Sequence, residues 1–166
     1  MMVAVDNSVQ VWADNELRGS ASGWAPATEI TMSSATTIVA LQVTNDGGSA
    51  GVLASFSNGA ITDASWRCTS SAPSGDGELS LSYMYMYVLT PALYGCTSTC
   101  TTAWRTDSFD ASSWSVASTD GSNGVQPWGL VEDIAASAQW IWTSNTASTV
   151  YCRIDISSCL TIYCFM

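Results

Sequence analysis

The sequence predicts an all-β chain, an antiparallel β-sandwich or barrel with very little helix. Three observations carry this. Ser, Thr, Gly, Asn and Asp interrupt the 166 residues too often for long helices. The gaps between them are filled by Val, Ile, Thr, Tyr and Trp, side chains that suit a pleated surface. Turn-forming pairs such as Asn-Gly and Asp-Gly separate most of these runs. Many strands at short spacing lead to a sandwich or a barrel.

Taken in order, the predicted strands are "MVAV" (2–5), "SVQVWA" (8–13), "ATEITM" (27–32), "TTIVALQVT" (36–44) and "AGVLASFS" (50–57). They continue with "SLSYMYMYVL" (80–89), "AQWIWT" (138–143), "STVYCRIDI" (148–156) and "CLTIYCF" (159–165). The separating turns are "ADNE", "NDGGSAG", "SNGA", "APSGDGE" and "TDGSNG". "FDASSW" (109–114) suggests one short helical turn. In "SYMYMYVL", strand alternation places Tyr83, Tyr85 and Tyr87 on one face and Met84 and Met86 on the other. That segment fits either a strand buried on both faces or a hairpin packed on another subunit, where Tyr and Met are enriched.

Charge narrows the function. Lys and Arg total 4, Asp and Glu total 14, and the formal net charge is -10. A chain so poor in cations is not expected to bind nucleic acid or to be drawn to an anionic membrane. No run approaches the ~20 apolar residues of a membrane helix. The start, "MMVAVDNSVQVW", lacks the basic region and apolar run of a secretory signal. Six cysteines nonetheless indicate an oxidising compartment. The expectation is therefore a mature segment of an extracellular or cell-surface protein.

The residue types also bear on catalysis. The sequence contains no His, which removes His-based triads and His metal ligands. It contains no Lys, which removes Schiff-base and Ser-Lys chemistry. The remaining carboxylate groupings are Asp6, Asp14 and Glu16, and Glu132 with Asp133. A glycosidase needs two carboxyls facing across a cleft, and these read as solvated turn acids. The chain is thus expected to be non-enzymatic and to need no cofactor. The one metal reading is a structural Ca²⁺ held by Asp46 in "NDGGS" and Asp120 in "TDGSN".

Several segments in sequence order resemble a known family: "VAVDNSVQVWADNELRGSASGW", "TIVALQVTNDGGSAGVLASFS", "ITDASWRC", "FDASSW", "NGVQPWG" and "AQWIWT…TVYCR". They are similar to the galactose-binding-like jelly-roll modules related to the N-terminal module of bacterial α-L-rhamnosidases. The resemblance implies a jelly-roll-like β-sandwich over residues 1–156, with an insertion at about 69–103. Residues 157–166, outside the resemblance, read as an extra apolar strand. Trp66, Trp114, Trp128, Trp140 and Trp142 are large plugs suited to the core of such a sandwich. The chain departs from the family in two places. "WADNE" replaces the usual "YVNG" turn, and "GDGELSLSYMYMYVLTPALYGCTSTCTT" is inserted after the "WRC" strand.

Cys68 and Cys152 fall on core strands of the resembled family, which implies that they pair. Cys96 and Cys100 bracket "TST" within the insertion and can close a short loop. Cys159 and Cys164 would lie about 16 Å apart on a straight strand, beyond the roughly 7 Å a disulfide spans. They are either free thiols or partners of cysteines elsewhere, including on another chain.

The last segment sets the functional expectation. Modules of the resembled type commonly carry a strand before "MVAVDNSVQVW", and its lack would leave an open edge. Leu160, Ile162 and Phe165 form an apolar strand at the other end that could fill such an edge, in its own sandwich or a neighbour's. The connection "DISS" contains no Gly or Pro, which favours an extended exit. The resulting expectation is a structural subunit that assembles head to tail by strand exchange, its partners being copies of itself. The assembly residues would be Cys159, Leu160, Ile162, Cys164, Phe165 and Tyr85. The alternative is a lectin-like module that binds a glycan through Trp24, Trp104, Asp14, Asn15 and Glu16.

Overall fold

The computed structural model describes residues 1–73 and 103–157. In chain order its strands are β1 (Met2–Asp6), β2 (Ser8–Ala13), β3 (Glu16–Ser22), β4 (Thr28–Glu29), β5 (Ile38–Thr44) and β6 (Gly51–Ser55). They continue as β7 (Arg67–Thr69), β8 (Ser115–Val116), β9 (Ser118–Ser122), β10 (Gln139–Trp142) and β11 (Thr149–Asp155). One sheet runs β4-β1-β6-β10-β9 and the other β3-β2-β5-β11-β7-β8. All pairings are antiparallel. The chain is an all-β, jelly-roll-like sandwich. No helix of the described residues is long and apolar enough to cross a membrane.

Three apolar layers hold it together. Between the sheets lie Val3, Val5, Val9, Val11, Val39, Leu41, Val43, Val52 and Ile141, with Trp66 and Trp142. Successive strand residues point to opposite faces, yet the alternate positions are buried too. On the outer face of the five-stranded sheet, Ala4, Leu53 and Trp140 are covered by Trp128, Val131 and Ile134. On the outer face of the six-stranded sheet, Trp12, Ala40 and Tyr151 are covered by Trp104 and Trp114. All five predicted Trp plugs are therefore buried. Only Trp66 and Trp142 lie between the sheets; Trp114, Trp128 and Trp140 belong to the outer layers.

Several sequence expectations change on this scaffold. The stretch 27–32 keeps only Thr28–Glu29 as strand, because Ile30 turns inward and bonds back to Met1. Strand β3, "ELRGSAS", has a single buried residue, Ala21, so it carries no apolar alternation to read. "TDGSNG" reads as a turn, but residues up to Ser122 form β9 beside β10, and the turn begins at Asn123. "FDASSW" makes no helical turn. Asp110 Oδ1 accepts the Ser112 N–H at 2.8 Å and the Trp114 N–H reaches Ala111 O at 3.0 Å, a side-chain-capped turn.

The expected open edge beside the first strand is absent as well. β1 pairs with β6 along its length and with β4 at Met2 and Val3. The Met1 amine donates to Ile30 O at 3.0 Å. Among the described residues, the sheet edges are β3, β8, β4 and β9. Tyr85, Cys96, Cys100, Cys159, Leu160, Ile162, Cys164 and Phe165 lie outside the described residues.

Cys68 and Cys152 form a disulfide, as the family resemblance implies. They sit directly opposite each other on β7 and β11, Cα atoms 4.1 Å apart, and both are buried. The bond spans 84 residues of sequence. A covalent loop of that size stabilises by about 4.5 kcal/mol in the chain-entropy picture.

Gly51 shows how tightly the outer layer is packed. A Cβ there would sit 2.9 Å from Trp140 Cε3 and 3.3 Å from Trp128 Cζ2. Those two indoles are stacked with centroids 4.3 Å apart and cannot both retreat. Gly51→Ala should therefore lower stability by about 1–3 kcal/mol, the cost of overpacking. Urea denaturation followed by tryptophan fluorescence would measure it.

Candidate functional site

The predicted glycan residues fall in three separate places. Asp14 and Asn15 form the two-residue turn between β2 and β3, with φ of 49° and 70°. Both positive angles are what a type I′ hairpin turn demands, and Asp and Asn tolerate them. Trp24 lies past the far end of β3, whose seven residues span about 20 Å. It is 43% exposed. Trp104 is fully buried, ringed by Trp12 at 5.8 Å, Trp114 at 5.9 Å and Tyr151 at 5.5 Å between centroids. It has no face left for a sugar. These residues therefore do not converge on one site.

The acids of the turn are also engaged within the chain. Asp14 Oδ1 accepts Thr37 Oγ1–H at 2.8 Å, Ile38 N–H at 2.9 Å and Thr37 N–H at 3.1 Å. Partial burial opposes its ionisation, but the hydrogen bonds from Ile38 and Thr37, aided by Arg18, hold its pKa below the ordinary 3.8. Asp14 is a clip between the β2–β3 turn and the start of β5. Glu16 pairs with Arg18 at 2.9 Å. Asn15 Oδ1 accepts Arg105 Nε–H at 3.1 Å. Asp6 was expected to be solvated; it is 7% exposed and accepts the Trp128 indole N–H at 3.0 Å. Glu132 and Asp133 are exposed.

The segment 103–114 is fastened to the six-stranded sheet by arginines. Arg153, only 6% exposed, donates to Trp104 O at 3.1 Å, Phe109 O at 3.1 Å and Thr106 O at 3.0 Å. Burial holds its pKa below the ordinary value, opposed by Asp155 and Asp107, and a guanidinium stays charged regardless. Arg67 donates to Trp114 O at 3.3 Å. Arg105 lies over the Trp12 ring at 4.8 Å. The one signal in the sequence for Arg153 is its place in the apolar run "VYCRIDI", which does not reveal the distant loop it anchors.

For the Ca²⁺ reading, Asp120 lines one depression with Asn45, Gly47, Gly48 and Asn145. The loop containing Asp46 and the strand containing Asp120 thus meet. Among the described residues, no group of three or more Cys, Asp and Glu side chains is gathered that could hold a metal.

A cavity of about 290 Å³ lies at the end of the sandwich where β11 finishes. Met1, Met32, Phe56 and Ile156 line it, together with the polar residues Ser33, Ser34, Thr36, Ser57 and Asn58. All four apolar residues pack on the central core. Thr36 is 4% exposed, and its hydroxyl has no hydrogen-bond partner among the described residues. The ladder between β5 and β11 extends to Ile156, whose N–H bonds Thr37 O at 2.7 Å. At the last described residues Asp155 Oδ1 accepts the Ser157 N–H at 2.8 Å, a side-chain-capped bend that uses neither Gly nor Pro.

Comparison with protein-family models, with curated proteins and with solved structures finds no match for this chain.

Two measurements follow from these contacts. Arg153→Gln leaves three loop carbonyls short of donors and should cost about 2–3 kcal/mol. It should also red-shift tryptophan emission as Trp104 and Trp114 become wetter, while Arg153→Lys recovers only part of the loss, since an ammonium lacks the planar fork. Asp14 has a lowered folded pKa, so its stabilisation is present above 3.8 and disappears as pH falls through the folded value. Asp14→Asn, which keeps the turn geometry, should be less stable by about 0.5–1.5 kcal/mol at neutral pH. The gap between the two proteins should close on acidification below 3.8, measured by urea midpoints across pH.

Proposed function

We propose that this protein is a non-enzymatic, extracellular structural subunit that assembles head to tail into a fibre or surface appendage. The observation that carries the reading is the cavity at the end of the sandwich, which has apolar walls on the core side and a polar rim of Ser33, Ser34, Ser57 and Asn58. Met1, Met32, Phe56 and Ile156 offer it apolar walls, and the buried Thr36 hydroxyl offers a hydrogen-bonding group still in need of a partner. The tail "SCLTIYCFM", residues 158–166, has apolar side chains at most positions and no charged one. A donated strand of this kind buries its apolar residues in a neighbour's core and supplies backbone partners. Leu160, Ile162 and Phe165 are the plugs, each contributing about 1.5–3 kcal/mol on full burial. Cys159 and Cys164 can lock the joint covalently. The non-enzymatic reading is supported by the missing His and Lys and by Asp6 and Asp14, whose carboxylates serve the fold. The disulfide supports an oxidising, extracellular setting.

A tail folded into its own cavity and a tail given to a neighbour satisfy the same groups, so concentration is the discriminating variable. The intact chain should form filaments or higher oligomers as its concentration rises, seen by negative-stain microscopy and sedimentation. Deleting residues 158–166 should leave soluble, folded monomers that bind a synthetic peptide of the tail. An intact chain that stays monomeric at high concentration, with a truncated form that unfolds, would refute the reading.

A further inference from the structure

The sequence contains two Asn-Gly pairs, Asn58–Gly59 and Asn123–Gly124. Such a pair can modify itself in water. Glycine has no side chain to shield its nitrogen, so that nitrogen can reach the Asn side-chain carbonyl and close a five-membered ring. The fold gives the two pairs opposite circumstances. Asn123 is 8% exposed. Its amide donates to Val131 O and Ile134 O, both at 2.9 Å, and accepts the Val131 N–H at 2.8 Å. Ring closure there has to break all three bonds and release ammonia inside the cover over the five-stranded sheet.

Asn58 stands in the turn that follows β6, where Ser57, Asn58 and Gly59 are exposed. The Phe56 N–H bonds Ala60 O at 2.9 Å and the Gly59 N–H bonds Phe56 O at 3.1 Å, which sets the turn. The Ala60 N–H donates to Asn58 Oδ1 at 3.1 Å. That bond draws electrons from the side-chain carbonyl and makes its carbon easier to attack. Asn58 Nδ2 has no hydrogen-bond partner among the described residues, so nothing there retains it as a leaving group. Gly59 has a φ of 90°, and nothing lies within 4 Å of where a Cβ would stand, so the ring has room. The restraint is the Gly59 N–H bond to Phe56 O, which lies in an exposed turn and opens in local fluctuations.

We propose that Asn58 is a self-modification site whose only co-reactant is water. The Gly59 nitrogen gives its proton to hydroxide, and its electron pair attacks Asn58 Cγ. The Cγ–Nδ2 bond breaks, and the amide leaves as ammonia with a proton taken from water, which regenerates the hydroxide. Water then opens the cyclic imide at either ring carbonyl. Attack at Cγ gives aspartate; attack at the backbone carbonyl gives isoaspartate, in which the main chain runs through the side-chain carbons. The net change is one water consumed and one ammonia released, with no oxidant or reductant. Either product places a carboxylate on the rim of the cavity that Phe56 walls. Isoaspartate also lengthens the turn that positions Phe56. On the assembly reading, an aged subunit therefore receives the uncharged tail less well; the modification itself does not depend on that reading.

The test incubates the full chain at mildly alkaline pH, folded and in urea, and follows it by mass spectrometry. Trypsin cuts after Arg18, Arg67, Arg105 and Arg153, so once the disulfide is reduced Asn58 falls on fragment 19–67 and Asn123 on fragment 106–153. In the folded protein Asn58 should become a mixture of aspartate and isoaspartate at least roughly tenfold faster than Asn123, whose reaction waits for the cover to open. In urea the two pairs should react at similar rates. Asn58→Gln, which would need a larger ring, should abolish the change in 19–67 and leave 106–153 as it was, with circular dichroism checking that the sheets are intact. The proposal is overturned if 19–67 from the folded chain stays unchanged long after the unfolded chain has converted. It is equally overturned if folded Asn123 reacts within about tenfold of Asn58, or if the change in 19–67 maps to Asn45 and survives Asn58→Gln. These readings are made on single chains, so they decide the modification whether or not filaments form.

Discussion

Covering parts of the outer faces of both sheets forces irregular chain into apolar surroundings, and such chain must have its backbone groups satisfied. A strand does this through its ladder. The two covers, residues 103–114 and 123–138, cannot. In each, one buried polar side chain makes three of the bonds that hold it. Arg153 gathers the carbonyls of Trp104, Thr106 and Phe109. Asn123 donates to Val131 O and Ile134 O, both at 2.9 Å, and accepts the Val131 N–H at 2.8 Å. Remove either anchor and the carbonyls above the sheet lose their donors, the indoles lose their seat, and the outer faces of the sheets become wet. The layered architecture rests on these two side chains more than on any single apolar contact.

The charge distribution follows from the same requirement. Arg153 and Arg67 stand directly opposite each other on β11 and β7, an arrangement of like charges that ordinarily destabilises a sheet. Here each guanidinium is turned towards backbone carbonyls of the cover rather than towards a carboxylate. With Arg105 over Trp12, three of the four cations serve one face, and Arg18 serves the edge beside Glu16. The acids are therefore left to set the potential of the remaining surface.

The fold was largely legible where strands are apolar and bounded by Gly, Asn or Asp, as in β2, β5, β6, β10 and β11. It was illegible where burial is one-sided or absent. β3 exposes six of its seven residues to some degree, and β9 is made of residues that usually turn. The alternation that identifies a half-buried strand was missing from "IVAL" and "GVLA" for the opposite reason, since both faces are covered there. Residue type alone could not tell an inter-sheet Trp from one under an outer cover. The candidate glycan residues misled for a similar reason. Trp104 lies in a polar-looking stretch, and its burial depends on Arg153, about fifty positions away.

The disulfide between β7 and β11 also has a mechanical meaning. β7 leads towards residue 73 at one end of the sandwich, and β11 leads to residue 157 at the other. Tension between those two points runs from residue 73 back to Cys68, across the sulfur bridge to Cys152, and on to residue 157. The load path is covalent throughout and crosses no ladder of hydrogen bonds. A pull in that direction leaves the sandwich a passenger rather than a link, so the tensile limit between the roots of the two segments is set by a chemical bond and not by the unfolding of the domain.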